Sequence, residues 1–326
     1  MIYCICHLAL WSIFVTSVSA NKFVLSSSLV GHQFFDAFTW ETFDDPTHGA
    51  VVYTGLEDAK KLNLTYATHN SFVMRADDKT VLASDAVGRR SIRITSLATY
   101  EDSITVIDLK HMPSGCATWP AFWTFSRDSD WPAGGEIDII EGANTQTENW
   151  STLHTLPGCN MTQKRHQTGT TISTVCDVNV NFNQGCQTQF NTPKSYGMGF
   201  NAVGGGWYAM KRTYRDGVWV WFWARDDPTV PEEIRLGKSL LKPNPSAWGT
   251  PGARFPPDEC NFKKFFDAHQ IVFDLTFCGD LAGNLYASSG CGADIQACRD
   301  FVLNNPSSFS EAYWDIKSLR VYTPKP

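Results

Sequence analysis

The chain has 326 residues, of which 43% are hydrophobic, 18% charged and 13% aromatic, with 12 Trp. That is enough for one large domain or two small ones with a proper core. The 27 basic and 33 acidic side chains give a net charge of −6 and no basic patch of the kind nucleic acid requires, so no nucleic-acid partner is expected.

Residues 1–20 read as a secretory signal. Leu8 to Val15 is apolar, and Val18-Ser19-Ala20 offers small residues before a cut at Asn21, although the n-region has no Lys or Arg. The segment is short for a membrane span, and no second apolar run of spanning length follows. An uncleaved anchor is the alternative. The expectation is a secreted, extracellular, monomeric protein without stable membrane association, with residues 21–326 as a single catalytic domain.

Asp44-Asp45-Pro46 marks a turn. Short β-like runs follow at Ala50–Thr54, Ser91–Thr95, Ser103–Leu109 and Ala121–Phe125. The next, Glu136-Ile-Asp-Ile-Ile-Glu141, carries three carboxylates separated only by isoleucines. On a strand, Glu136 and Asp138 share a face, while Glu141 points the other way. One β-bulge resets the alternation and brings all three acids to one surface. The backbone from Glu136 to Glu141 then spans roughly 14–16 Å, and side chains leaning together close much of it. A retaining glycosidase needs its carboxylates about 5–5.5 Å apart. Like charges crowded on a sheet are unfavourable unless chemistry or a metal compensates. Catalysis is therefore the leading reading, with a metal site and a solvated acidic face as the competitors.

Residues 158–192 are rich in Cys, Thr, Asn and Gln and read as a long disulfide-pinned loop. Val218–Ala224 is apolar on both faces, which predicts a central strand. Residues 226–257 hold seven prolines and read as a second long excursion, suited to walling a binding site. Strands are expected again at Gln270–Phe277 and Leu319–Thr323. Between them Asp294 is placed to cap a short helix over Ile295–Leu303, ended by Asn304 and Asn305 before Pro306. Strands separated by Gly, Asn, Asp and Pro are the pattern of an all-β sandwich or barrel.

Ten cysteines fit export: Cys4 and Cys6 leave with the signal, and the remaining eight suggest up to four disulfides. No CxxC pair points to zinc. Connectivity is not fixed by spacing, with Cys291 and Cys298 placed to close a local loop. Sequons stand at Asn63, Asn149 and Asn160.

The Glu136–Glu141 string resembles the signature of glycoside hydrolase family 16, in its bulged laminarinase form. Trp119-Pro-Ala-Phe-Trp123, Leu153-His-Thr155, Gly204-Gly-Gly-Trp-Tyr-Ala209 and Phe277-Cys-Gly-Asp-Leu-Ala-Gly-Asn284 resemble fungal laminarinase segments in the same order. The likeness runs from about Phe34 to Tyr322. It implies a jelly-roll β-sandwich (concanavalin-like) with a long concave substrate cleft. It implies Glu136 as nucleophile, Glu141 as general acid/base, and Asp138 as an assisting group hydrogen-bonded to Glu136. Trp123 and Trp131 are the candidates for sugar stacking, each with core packing as the alternative, and Trp119 shares a strand face with Trp123. His154 matches the family's histidine near the acid/base. Arg93 is a candidate for binding sugar hydroxyls, with a surface salt bridge as the alternative.

The resemblance implies a secreted endo-β-1,3(4)-glucanase acting on β-glucan. A cell-wall transglycosylase, a hydrolase for another glucan or galactan, and a non-catalytic β-glucan-binding protein are the alternatives. Catalysis needs no cofactor or metal. A structural calcium ion is compatible with the resemblance, but no ligands are assignable. The chain departs from its fungal relatives at three places. Leu281 stands where they usually carry Trp, Ala117 stands where Gly is expected, and Lys211 and Arg212 stand where an acidic residue and Trp are frequent. These changes bear on the cleft and on the balance of hydrolysis and transfer.

Overall fold

A computed structural model describes residues 23–236 and 243–325. The segment read as a signal lies outside the described residues, as does the 237–242 part of the second excursion. Two antiparallel sheets of eight strands each dominate. The first has the spatial order Thr170–Thr171, Cys186–Gln189, Trp150–His154, Glu136–Glu141, Thr118–Ser126, His269–Phe277, Arg93–Tyr100, Phe38–Trp40. The second runs Ala253–Phe255, Gly217–Ala224, Gly206–Thr213, Ser103–His111, Tyr313–Pro324, Phe72–Arg75, Thr65–Ala67, with Phe23–Leu29 also paired to Tyr313–Pro324. Alternation along the strands puts one face of each sheet into a shared core. That core holds Ile94, Phe122, Ile137, Ile140, Leu153 and Phe273 from the first sheet against Ile107, Leu109, Tyr208, Val218, Val220 and Ile316 from the second. The other face of the first sheet carries the acids.

Every strand expected from the sequence is present, and the Glu136–Glu141 strand has the expected ends. Gly217–Ala224 lies between two paired strands, as its two apolar faces require. The helix Ile295–Asn304 starts where expected, with Asp294 Oδ1 accepting from the Ala297 N–H at 2.8 Å.

Three expectations change. Residues 158–192 are not all loop: Cys186–Gln189 extends the first sheet despite its polarity, because its backbone pairs with Trp150–His154. The proline-rich excursion covers the far side of the second sheet instead of walling the acid-bearing face. Its Trp248 meets Trp221 and Trp223 edge-on at 5.2 and 6.1 Å. The disulfides are Cys116–Cys291, Cys159–Cys260, Cys176–Cys186 and Cys278–Cys298, so the expected Cys291–Cys298 loop is wrong. Cys298 is fully buried on its helix, packed with Val302 and Cys278, so it faces the strand end and not the chain before it. Among the described residues, no helix is long and apolar enough to cross a membrane.

Candidate active site

The site is built around one extra residue. Against Thr118–Ser126, Asp138 pairs with Trp123 and Ile140 with Phe122, which leaves Ile139 without a partner. The register against Trp150–His154 shifts over the same stretch. A bulge frees backbone groups that must be satisfied when buried. Here the Ile139 carbonyl accepts from Asn149 Nδ2 and from Ser151 Oγ, both at 2.9 Å. Asn149 Oδ1 in turn accepts from the Glu141 N–H at 3.1 Å. The alternation is thereby reset, and Glu136, Asp138 and Glu141 project from one face while the three isoleucines are fully buried.

The chain enters this strand through Gly134 and Gly135, whose φ values of 75° and 79° are left-handed. A Cβ on Gly135 would sit 2.4 Å from the Phe266 ring, so only glycine fits. The turn folds Trp131 back over the strand it precedes, and Trp131 Nε1 donates to Glu136 Oε2. At the other end of the strand Trp119 Nε1 donates to Glu141 Oε1 at 3.0 Å. Each of the two outer acids thus has an indole N–H of its own.

Burial, reinforced by the charges of Glu136 and Glu141, pushes the Asp138 carboxyl well above the aspartate range. It hydrogen-bonds to Glu136, and that bond raises it further. Its Oδ2 lies 3.4 Å from His154 Nε2 and makes no hydrogen bond, which is tolerable in a neutral buried acid and costly in a charged one. Burial also raises the Glu141 carboxyl, opposed by His154 and by the Trp119 hydrogen bond. His154 stands opposite Glu136 in the ladder, and its Nδ1 pairs with Asn183 Oδ1 at 2.9 Å. Glu136, Asp138 and His154 also bring donor atoms within 4.8 Å of one another, a spacing that would suit a cation.

On the flank toward His269–Phe277 the same face continues through Trp123, Arg93 and Asp274. Arg93 is buried, with its guanidinium 5.0 Å from the ring centres of both Trp123 and Phe43. It pairs with Asp274 at 3.4 Å, and Trp123 also hydrogen-bonds that carboxyl. Burial outweighs the neighbouring cation and lifts Asp274 to about 7.

Residues 38–322 match the XgeA-like, catalytic GH16 domain. The chain belongs to glycoside hydrolase family 16. Among curated relatives, a probable glycosidase of Schizosaccharomyces pombe is 43% identical over 94% of this chain and 70% of its own length. A probable endo-1,3(4)-beta-glucanase of Aspergillus fumigatus is 38% identical over 93% of this chain, which spans 46% of that relative's length. Laminarinase 16A from Phanerochaete chrysosporium, solved with beta-glucans in donor and acceptor sites, is 46% identical with a TM-score of 0.89, covering 93% of this chain and 100% of that one. An elongating family 16 beta-1,3-glucosyltransferase is 39% identical with a TM-score of 0.85 over 93% of this chain and 100% of its own. The sandwich described above is the jelly roll of these family 16 structures.

In this family 16 chain all eight residues proposed from the sequence lie on or around one sheet face. Glu136, Asp138, Glu141 and His154 form the centre, with Trp119 and Trp131 on the two glutamates and Trp123 beside Arg93. Arg93 is not the surface salt bridge considered for it, because its side chain is buried under two rings. Lys211 and Arg212 do not touch the cleft. They belong to the second sheet, where Lys211 sits by Trp219 and Arg212 is buried and bonds the Asp267 carbonyl. Ala117 does occupy a glycine-type position, with φ of 70°. Asn149 is fully buried with both side-chain atoms engaged, so its sequon is a clamp on the bulge, whereas Asn63 and Asn160 are exposed. Asn149, Asn183 and Asp274 were not found as site residues from the sequence. Only Asp274 carried a signal, as a lone acid inside an apolar strand.

Proposed function

We propose that this chain is a secreted, retaining endo-β-1,3(4)-glucanase, with residues 21–326 as one catalytic domain following a 20-residue signal. The observation that carries the reading is the bulged strand, which turns three acids to one face and gives each of the two outer ones its own indole donor. Glu141, whose hold on its proton burial strengthens, donates to the glycosidic oxygen as Glu136 attacks the anomeric carbon. The C–O bond to the leaving sugar breaks and an ester to Glu136 forms. Glu141, now a carboxylate, takes a proton from water, which attacks the same carbon and frees Glu136 with retention. Asp138, its carboxyl pushed well up by burial, keeps Glu136 aimed through its hydrogen bond. Trp123 and Trp131 offer apolar ring faces to the sugars, and Arg93 fixes Trp123 from behind. The carboxylates near His154 serve as nucleophile and support, so no step calls for a metal. Four disulfides support an oxidising compartment, hence export.

A second reading, transfer of the glycosyl group to a sugar hydroxyl in place of water, is favoured by the likeness to the elongating glucosyltransferase. Incubation of the purified protein with laminarin and with mixed-linkage β-glucan, followed by product mass and anomeric NMR, tests both. Short oligomers released first as β-anomers support the hydrolase. Products longer than the donor support transfer. No cleavage of any glucan would overturn the proposal.

A further inference from the structure

Phe182 is the most exposed large hydrophobic side chain among the described residues, with a relative exposure of 107%. It sits in a turn where Asn181, Phe182 and Asn183 all take left-handed backbone, with φ of 51°, 55° and 61°. Non-glycine residues adopt that conformation at a cost, and it persists where surrounding structure holds it. A phenyl ring in open water contributes nothing to folding. The chain therefore bears backbone strain and exposes an aromatic ring at one point.

The turn is fastened to the catalytic cluster. Asn183 Oδ1 pairs with His154 Nδ1 at 2.9 Å, and His154 lies opposite Glu136 and 3.4 Å from Asp138. The Cys176–Cys186 disulfide ties the two ends of the segment together. Gly185, with φ of 66°, closes it: a Cβ there would stand 2.8 Å from His154 Cε1 and 2.6 Å from the Leu153 carbonyl oxygen. The segment leaves the sheet on the side of Trp150–His154 and Cys186–Gln189. Trp123, Arg93 and Asp274 lie on the other side of the Glu136–Glu141 strand. A polysaccharide crossing that strand reaches both flanks: on this one Trp150, opposite Glu141, is half-buried and bonded to Gln189, and Phe182 beyond it carries the fully exposed aromatic ring.

We propose that Phe182 is a sugar-stacking residue. It offers its ring to a β-glucosyl unit bound on the flank away from Trp123, and Asn183 is the positioning residue that sets this ring relative to His154. The proposal rests on the β-glucanase reading. The axial C–H faces of a β-glucopyranose ring are apolar and pack against an aromatic face. Phenylalanine brings no hydrogen-bonding group, so the contact holds a sugar in place without selecting its hydroxyl pattern.

The test uses the full chain carrying Glu136→Gln, which retains the cleft and cannot form the ester. Laminari-oligosaccharides of increasing length are titrated by calorimetry with Phe182 present, with Phe182→Ala and with Phe182→Tyr. Affinity should step up at the length that first reaches the ring. Phe182→Ala should lose that step, weakening the longer ligands about 3- to 10-fold, and Phe182→Tyr should keep it. In the active enzyme, Phe182→Ala should raise KM for long oligosaccharides more than it lowers kcat. Parent affinity in Phe182→Ala at every length would overturn the stacking role alone. So would an equal loss at all lengths that tyrosine does not restore, since that is the mark of a scaffold turn. If the Phe182-containing protein binds no β-glucan, the glucanase reading falls with it.

Discussion

Asn149 donates its side-chain amide to the carbonyl of Ile139, 2.9 Å away, at the point where the acid-bearing strand leaves its ladder. The same side chain accepts from the Glu141 N–H, so a single residue satisfies both backbone groups that flank the reset. Asn149→Ala should leave the Glu141 N–H without its partner, at about 1–3 kcal/mol, and the Ile139 carbonyl with the Ser151 hydroxyl alone. A lowered Tm is expected, with kcat reduced more than KM is raised, because Glu141 is then loosely aimed. Thermal unfolding and steady-state kinetics on laminarin check this, and an unchanged Tm would contradict the clamp. In a glycosylating host, intact-mass analysis of the folded protein should find no glycan at Asn149, while Asn63 and Asn160 are accessible to modification.

Trp119 holds Glu141 by one hydrogen bond that favours the carboxylate. Trp119→Phe removes the donor and keeps most of the ring. The Glu141 pKa should then rise further, because the interaction lost was one of the two, with His154, that lower it. The basic limb of the pH–rate profile reports loss of the proton from the general acid. It should therefore move to higher pH in the variant. A basic limb that stays put or moves down would mean that this hydrogen bond does not tune the acid.

Asp138 separates two roles a buried carboxyl can have. Protonated, it would serve as a hydrogen-bond donor to Glu136, and asparagine can imitate that. Asp138→Asn should retain activity within about tenfold, whereas Asp138→Ala should lose about 100-fold or more, approaching the loss typical of a proton-handling residue. Glu136→Gln and Glu141→Gln should both fall by at least about 1000-fold. If Asp138→Asn is as inactive as Glu136→Gln, Asp138 carries charge in the reaction.

The acid-bearing strand and its bulge were legible in the sequence because the pattern is local. Three acids and three isoleucines in six residues demand one buried face and one polar face, and only an extra residue reconciles the count. The strands with strong apolar content were legible for the same reason. Cys186–Gln189 was not, since it is a strand by virtue of its neighbour's backbone and not of its own side chains. Asn149 reaches Glu141 from 8 residues away, Asn183 reaches His154 from 29 and Asp274 reaches Arg93 from 181. For the two asparagines nothing in their own surroundings distinguishes a clamp from a loop asparagine or a sequon, and Asp274 offered only its isolation in an apolar strand. Disulfide pairing depends likewise on which strand end a helix packs against, as Cys278–Cys298 illustrates.

Asp274 lies buried behind Trp123 with its carboxyl lifted to about 7, and this links stability to pH. An unfolded aspartate titrates near 3.9. Between about 4 and about 7, the folded state therefore binds a proton that the unfolded state has released. A group with a raised folded pKa contributes its full stability below the unfolded value and loses it as pH rises through the folded value. Asp138 and Glu141, both raised by burial, act in the same direction. The protein should accordingly have a higher Tm at pH 5 than at pH 8. The Asp274 share of the stability difference between pH 5 and pH 8 is at most about 3 kcal/mol, from about two units between pH 5 and about 7 at about 1.4 kcal/mol each. Asp274→Asn keeps a neutral group beside Arg93 and should flatten the slope of Tm against pH across this window. Differential scanning calorimetry from pH 4.5 to pH 8 decides the matter. A wild-type Tm that climbs with pH, or a slope the substitution leaves intact, would show that Asp274 is already ionised when folded and that its ion pair with Arg93 prevails over burial.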